Sequence, residues 1–283
     1  MLTLSEDTDK ESGDANCFPN RPVISGFDVC AFGCHLRLTA MHPDALDVFQ
    51  HFVFPSLPRT APGREKPDLC IRIEAGEGQY QLFADNAIIA SAPEARDLVV
   101  GLIRVLDETV VGHLKALHAV HAGAILWRGR VLLLPGKSHA GKSSLVAELL
   151  RQGATYFTDE YALIDRNGLV YPYPRPLLLR NGRPDQVPAF AEECNARVGA
   201  AAAPVRLILL VAYKPDGAWS IEPISQGIAL LHLLQNTPHV LTDSPGMVES
   251  FQRAVAGARC YAGTRGDAVE AARLILCMMD ESS

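Results

Sequence analysis

The stretch Gly136-Lys137-Ser138-His139-Ala140-Gly141-Lys142-Ser143, followed by Ser144, fits G-x-x-x-x-G-K-[ST] at every fixed position. Independent residue frequencies give roughly 0.003 such matches by chance in a chain of this composition, so accident does not explain it. Glycines in such a loop let backbone N–H groups close around a phosphate, and the start of the following helix adds its positive dipole end. The chemistry expected is nucleotide binding, with Gly136 to Ser144 around the phosphates. Lys142 would bridge β and γ oxygens, and the Ser143 hydroxyl would ligate Mg²⁺.

A second constellation is the carboxylate pair Asp159 and Glu160. Phosphoryl transfer to a hydroxyl needs one carboxylate oxygen to hold Mg²⁺ or its water and another to take the hydroxyl proton. The pair closes the apolar run Thr155 to Thr158, so a parallel sheet is expected to set it beside the loop. Downstream, a Pro-rich segment carries Arg175, Arg180 and Arg183, candidates for gripping a γ-phosphate or an acidic acceptor. Arg180 is favoured because it ends an apolar run. A GTPase is not expected: Asp243 to Gly246 and Tyr213 to Asp216 stand in the wrong order for D-x-x-G and N-K-x-D, and Tyr213 replaces the guanine-reading Asn. Both are read as turns.

The elements that must position these residues follow from periodicity. Val131 to Leu134 is a wholly apolar run of buried-strand type, and Ser143 to Arg151 reads as the helix after it, with Gly153 as C-cap. His118 to Trp127, Ala154 to Thr158, Leu163 to Asp165, Leu169 to Tyr171, Val205 to Tyr213 and Trp219 to Pro223 read as strands. Gly227 to Asn236, Met247 to Ala256 and Asp267 to Met279 read as helices. Before Leu117 the pattern is strands at Asp28 to Phe32, His35 to Thr39 and Leu69 to Glu74, a helix at Pro43 to His51 and a loop at Pro55 to Pro67. A hairpin over Tyr80 to Ala90 and a helix over Ala92 to Leu117 complete it. No catalytic-looking cluster stands out in this part.

His121, the glycine loop, Glu148 and Asp159-Glu160 together resemble the core of the HPr kinase/phosphorylase family and its serine-kinase relatives, including those acting on lasso precursor peptides. His121 precedes Gly136 by 15 residues, Ser138 holds the inner serine position of the loop, and Asp159 follows Lys142 by 17. The resemblance implies an α/β fold: a P-loop kinase core of the HPr kinase C-terminal domain type over 118–283, preceded by a smaller mixed α/β module over 24–117. It implies ATP and Mg²⁺ as cofactors and a serine of a protein or peptide as acceptor. Asp159 would be the general base, His121 and Lys142 active-site residues, and Ser143, Asp159 and Glu160 the metal ligands; homo-oligomers are also implied. His139 has no family role. Glu160 departs from the family's second Asp, and the family's downstream segment with a metal-binding Glu is replaced by residues 172–183. Neither reverse phosphorolysis nor HPr as acceptor is therefore carried over. The residues alone leave two alternatives open, a nucleotide-binding regulatory module without catalysis and a small-molecule kinase.

Composition bounds these readings. The chain has 283 residues, 48% hydrophobic and 20% charged, which is globular. A net charge of -6 argues against nucleic acid as a partner, because binding it requires a basic surface. Residues 1–23 read as an acidic disordered tail, unlike a targeting sequence. No apolar run is long enough for a membrane helix, so a cytoplasmic protein without membrane contact is expected. Seven cysteines without a C-x-x-C pair fit neither a disulfide framework nor zinc, and Cys30 and Cys34 are expected to be buried thiols.

Overall fold

In the computed structural model, which describes residues 25–53, 57–76, 78–136, 141–180, 185–238 and 244–281, the chain is mixed α/β and built on two main sheets. The expected tail and the loop residues Lys137, Ser138, His139 and Ala140 lie outside the described residues, as do Arg183 and Asp243.

The N-terminal half contains β1 (Ser25–Ala31), β2 (Cys34–Ala40), α1 (Pro43–Phe52), β3 (Arg59–Thr60), β4 (Leu69–Gly76), β5 (Gln79–Ala84), β6 (Ala87–Ala92) and α2 (Val99–Gly112). The strands form one sheet in the order β3-β1-β2-β4-β5-β6. Alternation decides which face is covered. Leu36, Leu38, Ile71, Ile73 and Leu82 point into the core, where Phe49 of α1 and Leu102, Ile103 and Leu106 of α2 meet them. The Ala92 to Leu117 helix is shorter than expected. Ala92 ends β6, a 3₁₀ turn at Ala95–Leu98 precedes α2, and strand resumes at Leu117.

The C-terminal half contains β7 (Leu117–Trp127), β8 (Arg130–Pro135), α3 (Lys142–Arg151), β9 (Thr155–Thr158), β10 (Tyr161–Asp165), β11 (Leu169–Tyr171), β12 (Leu177–Leu179) and β13 (Val187–Ala189). It continues with β14 (Ala203–Tyr213), β15 (Ser220–Pro223), α4 (Gln226–Gln235), α5 (Ser244–Ala256), β16 (Arg259–Arg265) and α6 (Ala268–Asp280). Seven of these strands run in the order β11-β10-β7-β8-β14-β16-β15, and β9 joins β7. After the exposed Arg130, β8 is apolar because both its faces are covered. Leu132 and Leu134 pack with α3 and α6, while Val131 and Leu133 pack with α4 and α5. Helix α3 comes very close to β7: a Cβ on Gly123 would lie 2.8 Å from Val146.

Several expectations are revised. The strand before Asp159 is not a parallel neighbour of β8. β7 is long enough to pair antiparallel with β10 along its first half and with β9 along its second, so the Asp159-Glu160 link between them is held against β7. β16, parallel to β14, was not anticipated. α5 begins at Ser244, so Ser244 to Gly246 form a helix start rather than a turn. Cys34 is buried as expected, but Cys30 is exposed.

Candidate functional site

The parallel strands β8, β14 and β16 end together, and ligands of open α/β sheets gather at such carboxyl ends. β8 hands over to Gly136. After the undescribed loop residues the chain returns at Gly141, with φ of 75°, and enters α3 at Lys142. Gly141 gives α3 no side-chain cap, so the N–H groups of the first turn are left for an anion. Arg265, at the end of β16, donates from Nη2 to the Gly141 carbonyl at 2.8 Å and stacks 5.0 Å from the Tyr213 ring centre at the end of β14. A Cβ on Gly141 would lie 2.5 Å from that Nη2. The motif requires this glycine for its backbone conformation and for the arginine behind it.

Lys142 is largely buried, and its Nζ donates to the Gly136 carbonyl at 2.6 Å. Burial pulls its ammonium below the ordinary value, with the charges of Glu160 and Asp159 pulling back. His121, on β7, reaches the same carbonyl: Nδ1 lies 2.8 Å from Gly136 O and Nε2 lies 2.5 Å from Glu160 Oε1. Both partners are acceptors, so the ring satisfies both only with a proton on each nitrogen.

Lys142, Ser143, Ser144, Glu160 and Arg180 line one cavity of about 440 Å³, together with Arg104, Asp107 and Glu108 of α2. The N-terminal module therefore does carry site residues, contrary to expectation. Asp159 is 0% exposed and stands behind Glu160. The Tyr156 hydroxyl lies 3.1 Å from its Oδ1, and its Oδ2 has no hydrogen-bond partner among the described residues. Of the arginines in the Pro-rich segment, Arg180 sits on the exposed cavity rim just after β12. Arg175 is only 2% exposed, with Nη1 3.5 Å from Asp159 Oδ1 and 3.7 Å from Glu160 Oε2. Glu148 is engaged with Arg151 and Gln152 and does not line the cavity.

Sequence reasoning missed Asp107 and Arg265. Asp107 carried a signal, since it falls among the apolar positions Ile103, Leu106 and Val110 of α2 and is a charge on a helix face that packs inward. Arg265 follows a strand broken by Gly263, where Ser220 of β15 comes so close that no side chain fits, and its pattern is weak.

The arrangement can bind an anion at the start of α3. It can also offer oxygen donors to a hard cation, since Ser143 and Glu160 share the cavity wall and Asp159 has an unsatisfied carboxylate oxygen behind it. Among the described residues no group of three or more His, Cys, Asp or Glu forms a metal site by itself. Mg²⁺ in nucleotide sites takes only one or two protein ligands and completes its shell with phosphates and water, so the donor set fits that ion. No described helix is long and apolar enough to cross a membrane. No family model and no curated protein matches the chain.

Proposed function

We propose that this protein is an ATP- and Mg²⁺-dependent phosphotransferase on a P-loop kinase core of the HPr kinase type, acting on a hydroxyl, a serine of a protein or peptide. One observation carries the reading: a single cavity joins Lys142 and the uncapped start of α3 to the Glu160 carboxylate, whose chain neighbour Asp159 is buried. A module that only bound nucleotide would need the loop alone. Here two carboxylates, an imidazole and two arginines gather around it.

The roles follow from the chemistry of each group. Lys142 and the first-turn N–H groups of α3 hold the phosphates. Ser143 and Glu160 would hold Mg²⁺, which would supply positive charge to the transferring phosphate group. The attacking hydroxyl gives its proton to Asp159 Oδ2 as its oxygen bonds the γ-phosphorus, and the bond from that phosphorus to the β,γ-bridging oxygen breaks, releasing ADP. Asp159 Oδ2 is unpaired and buried off the cavity lining, so taking that proton requires the site to open and admit the hydroxyl to it. Arg180 on the rim faces incoming negative charge. Serine as the acceptor rests on the resemblance of the loop, His121 and Asp159 to the kinase family.

The experiment is transfer from radiolabelled ATP to protein in a cell extract by purified wild type, Lys142→Met and Asp159→Asn. Labelling of a discrete acceptor by wild type is expected, with binding and labelling lost in Lys142→Met and labelling alone lost in Asp159→Asn. A second reading, nucleotide binding without transfer, is favoured by the burial of Asp159 beside Arg175. ATP binding without labelling or turnover, unaltered in Asp159→Asn, would establish that reading instead.

A further inference from the structure

One guanidinium serves three carboxylates in this site, and the nearest belongs to the N-terminal module. Arg175 Nε lies 3.1 Å from Asp107 Oδ2 on α2, without hydrogen-bond alignment, whereas its Nη1 is 3.5 Å from Asp159 and 3.7 Å from Glu160. Asp107 is itself 3% exposed and is fixed by the Tyr173 hydroxyl, 3.1 Å from its Oδ1. Tyr173 packs edge-on against Phe32, at the turn between β1 and β2. A buried path therefore runs from a turn of the first sheet through Tyr173, Asp107 and Arg175 to the carboxylates beside the glycine loop.

Arginine and carboxylate gain most from a two-point pair, and the gain grows as water is excluded. Without Asp107, Arg175 would have Asp159 and Glu160 as its remaining acidic partners and would close on Asp159 Oδ1 and Glu160 Oε2, drawing both carboxylates away from a metal ion and an acceptor hydroxyl. We infer that Asp107 is a positioning residue of the proposed transfer site: it draws Arg175 toward α2 and so leaves Asp159 and Glu160 available. This rests on the nucleotide-binding reading above and assigns the N-terminal module a part in it.

The test is calorimetric titration of the whole protein with ATP, in excess Mg²⁺ and in chelator, at about pH 8 where Asp107 is ionised. The quantity read is the gain in ATP affinity produced by Mg²⁺. Asp107→Asn is expected to reduce the Mg²⁺ gain, the ratio of the two affinities measured on the same variant, about tenfold. Asp107→Glu is expected to restore most of that gain. In an Arg175→Met background, Asp107→Asn should have no further effect, because there is no guanidinium left to hold. Should Asp107→Asn not fold, Tyr173→Phe, which frees Asp107 but keeps its charge, is expected to lower the same gain. The proposal is overturned by an undiminished Mg²⁺ gain in the folded variant, by equal losses in Mg²⁺ and chelator, or by an effect that persists without Arg175. Wild type that binds ATP equally well with and without Mg²⁺ overturns this proposal alone. Wild type that binds no ATP in either condition overturns the nucleotide reading as well.

Discussion

His121 Nε2 lies 2.5 Å from Glu160 Oε1, and through its other nitrogen the same ring reaches the Gly136 carbonyl. The histidine thereby ties Gly136, the first glycine of the loop motif, to a carboxylate 39 residues further along the chain than the ring itself. Strand β7 makes this possible, since Tyr161 pairs with His121 in register and Glu160 immediately precedes it. The Glu160 carbonyl also accepts from the Ala122 N–H at 3.0 Å, so the carboxylate is anchored by its backbone as well as by the ring.

The first prediction concerns this pair. Burial pushes the Glu160 carboxyl up, but the hydrogen bond and charge of His121, helped by Arg175 and Lys142, outweigh it and hold the group below its ordinary value. A carboxyl depressed in this way stays ionised as pH falls, and its contribution is lost only below the ordinary range. His121→Ala should raise it, so that Mg²⁺-supported ATP binding fails at a higher pH than in wild type. Binding curves between about pH 4 and 7 would show the acid limb move upward. An unmoved limb in a folded variant would separate His121 from the work of Glu160.

Gly141 is the second point of leverage. An alanine there must hold a left-handed backbone, at roughly 1–2 kcal/mol, and must also displace the Arg265 guanidinium from the Gly141 carbonyl. Gly141→Ala is expected to lower ATP affinity at least about tenfold, and Arg265→Ala to lower it less, since the loop keeps its glycine. Fluorescent-nucleotide titration would rank them. A larger loss from Arg265→Ala than from Gly141→Ala would mean that the arginine contacts nucleotide instead of buttressing the loop.

Which residues were legible in the sequence has a physical explanation. The loop was legible from its own motif, and His121 and Asp159-Glu160 from spacings that resemble those of a kinase family; the structure brings Lys142, His121 and Glu160 together around Gly136 and the cavity. β8 and β14 were legible because burial on two faces leaves the apolar runs Val131 to Leu134 and Leu207 to Leu209. The partner of β9 was not, because the length of β7, which lets one strand serve both β9 and β10, becomes decisive only in three dimensions. Asp107 was hidden for a similar reason. Its partner Arg175 lies 68 positions later, in a Pro-rich segment with no periodic pattern to mark residues 173–179 as buried. Long-range pairing of buried charges leaves no periodic trace.

Asp107 also predicts how stability varies with pH. Burial pushes its carboxyl up to about 7, against the opposing pull of Arg175 and Tyr173. An unfolded carboxyl ionises near 3.8, so between these values the folded chain holds a proton that the unfolded chain has lost. The contribution of this group to stability must therefore fall as pH rises from about 4 to about 7 and level off above that. Asp107→Asn removes the dependence. Urea midpoints at about pH 5 and pH 8 should thus drop more in wild type than in the variant, and an equal drop in both would mean that Arg175 keeps Asp107 ionised throughout.

The two acidic residues should separate by what they damage. Glu160 lines the cavity and Asp159 does not; in the proposed function the metal would depend on the first and the proton transfer on the second. Glu160→Gln weakens the hydrogen bond to His121 and removes a cavity charge, and is expected to lower Mg²⁺-supported ATP affinity about tenfold. Asp159→Asn preserves shape and the cavity surface. It should leave that affinity within about threefold while lowering the transfer rate by 10²-fold or more, roughly the range for losing a general base. Measuring affinity by calorimetry and transfer by single-turnover labelling keeps the two effects apart. If both variants weakened Mg²⁺-supported binding alike and left the transfer step untouched, Asp159 would be a structural partner of Tyr156 and Arg175, and the proton would have to leave by another group.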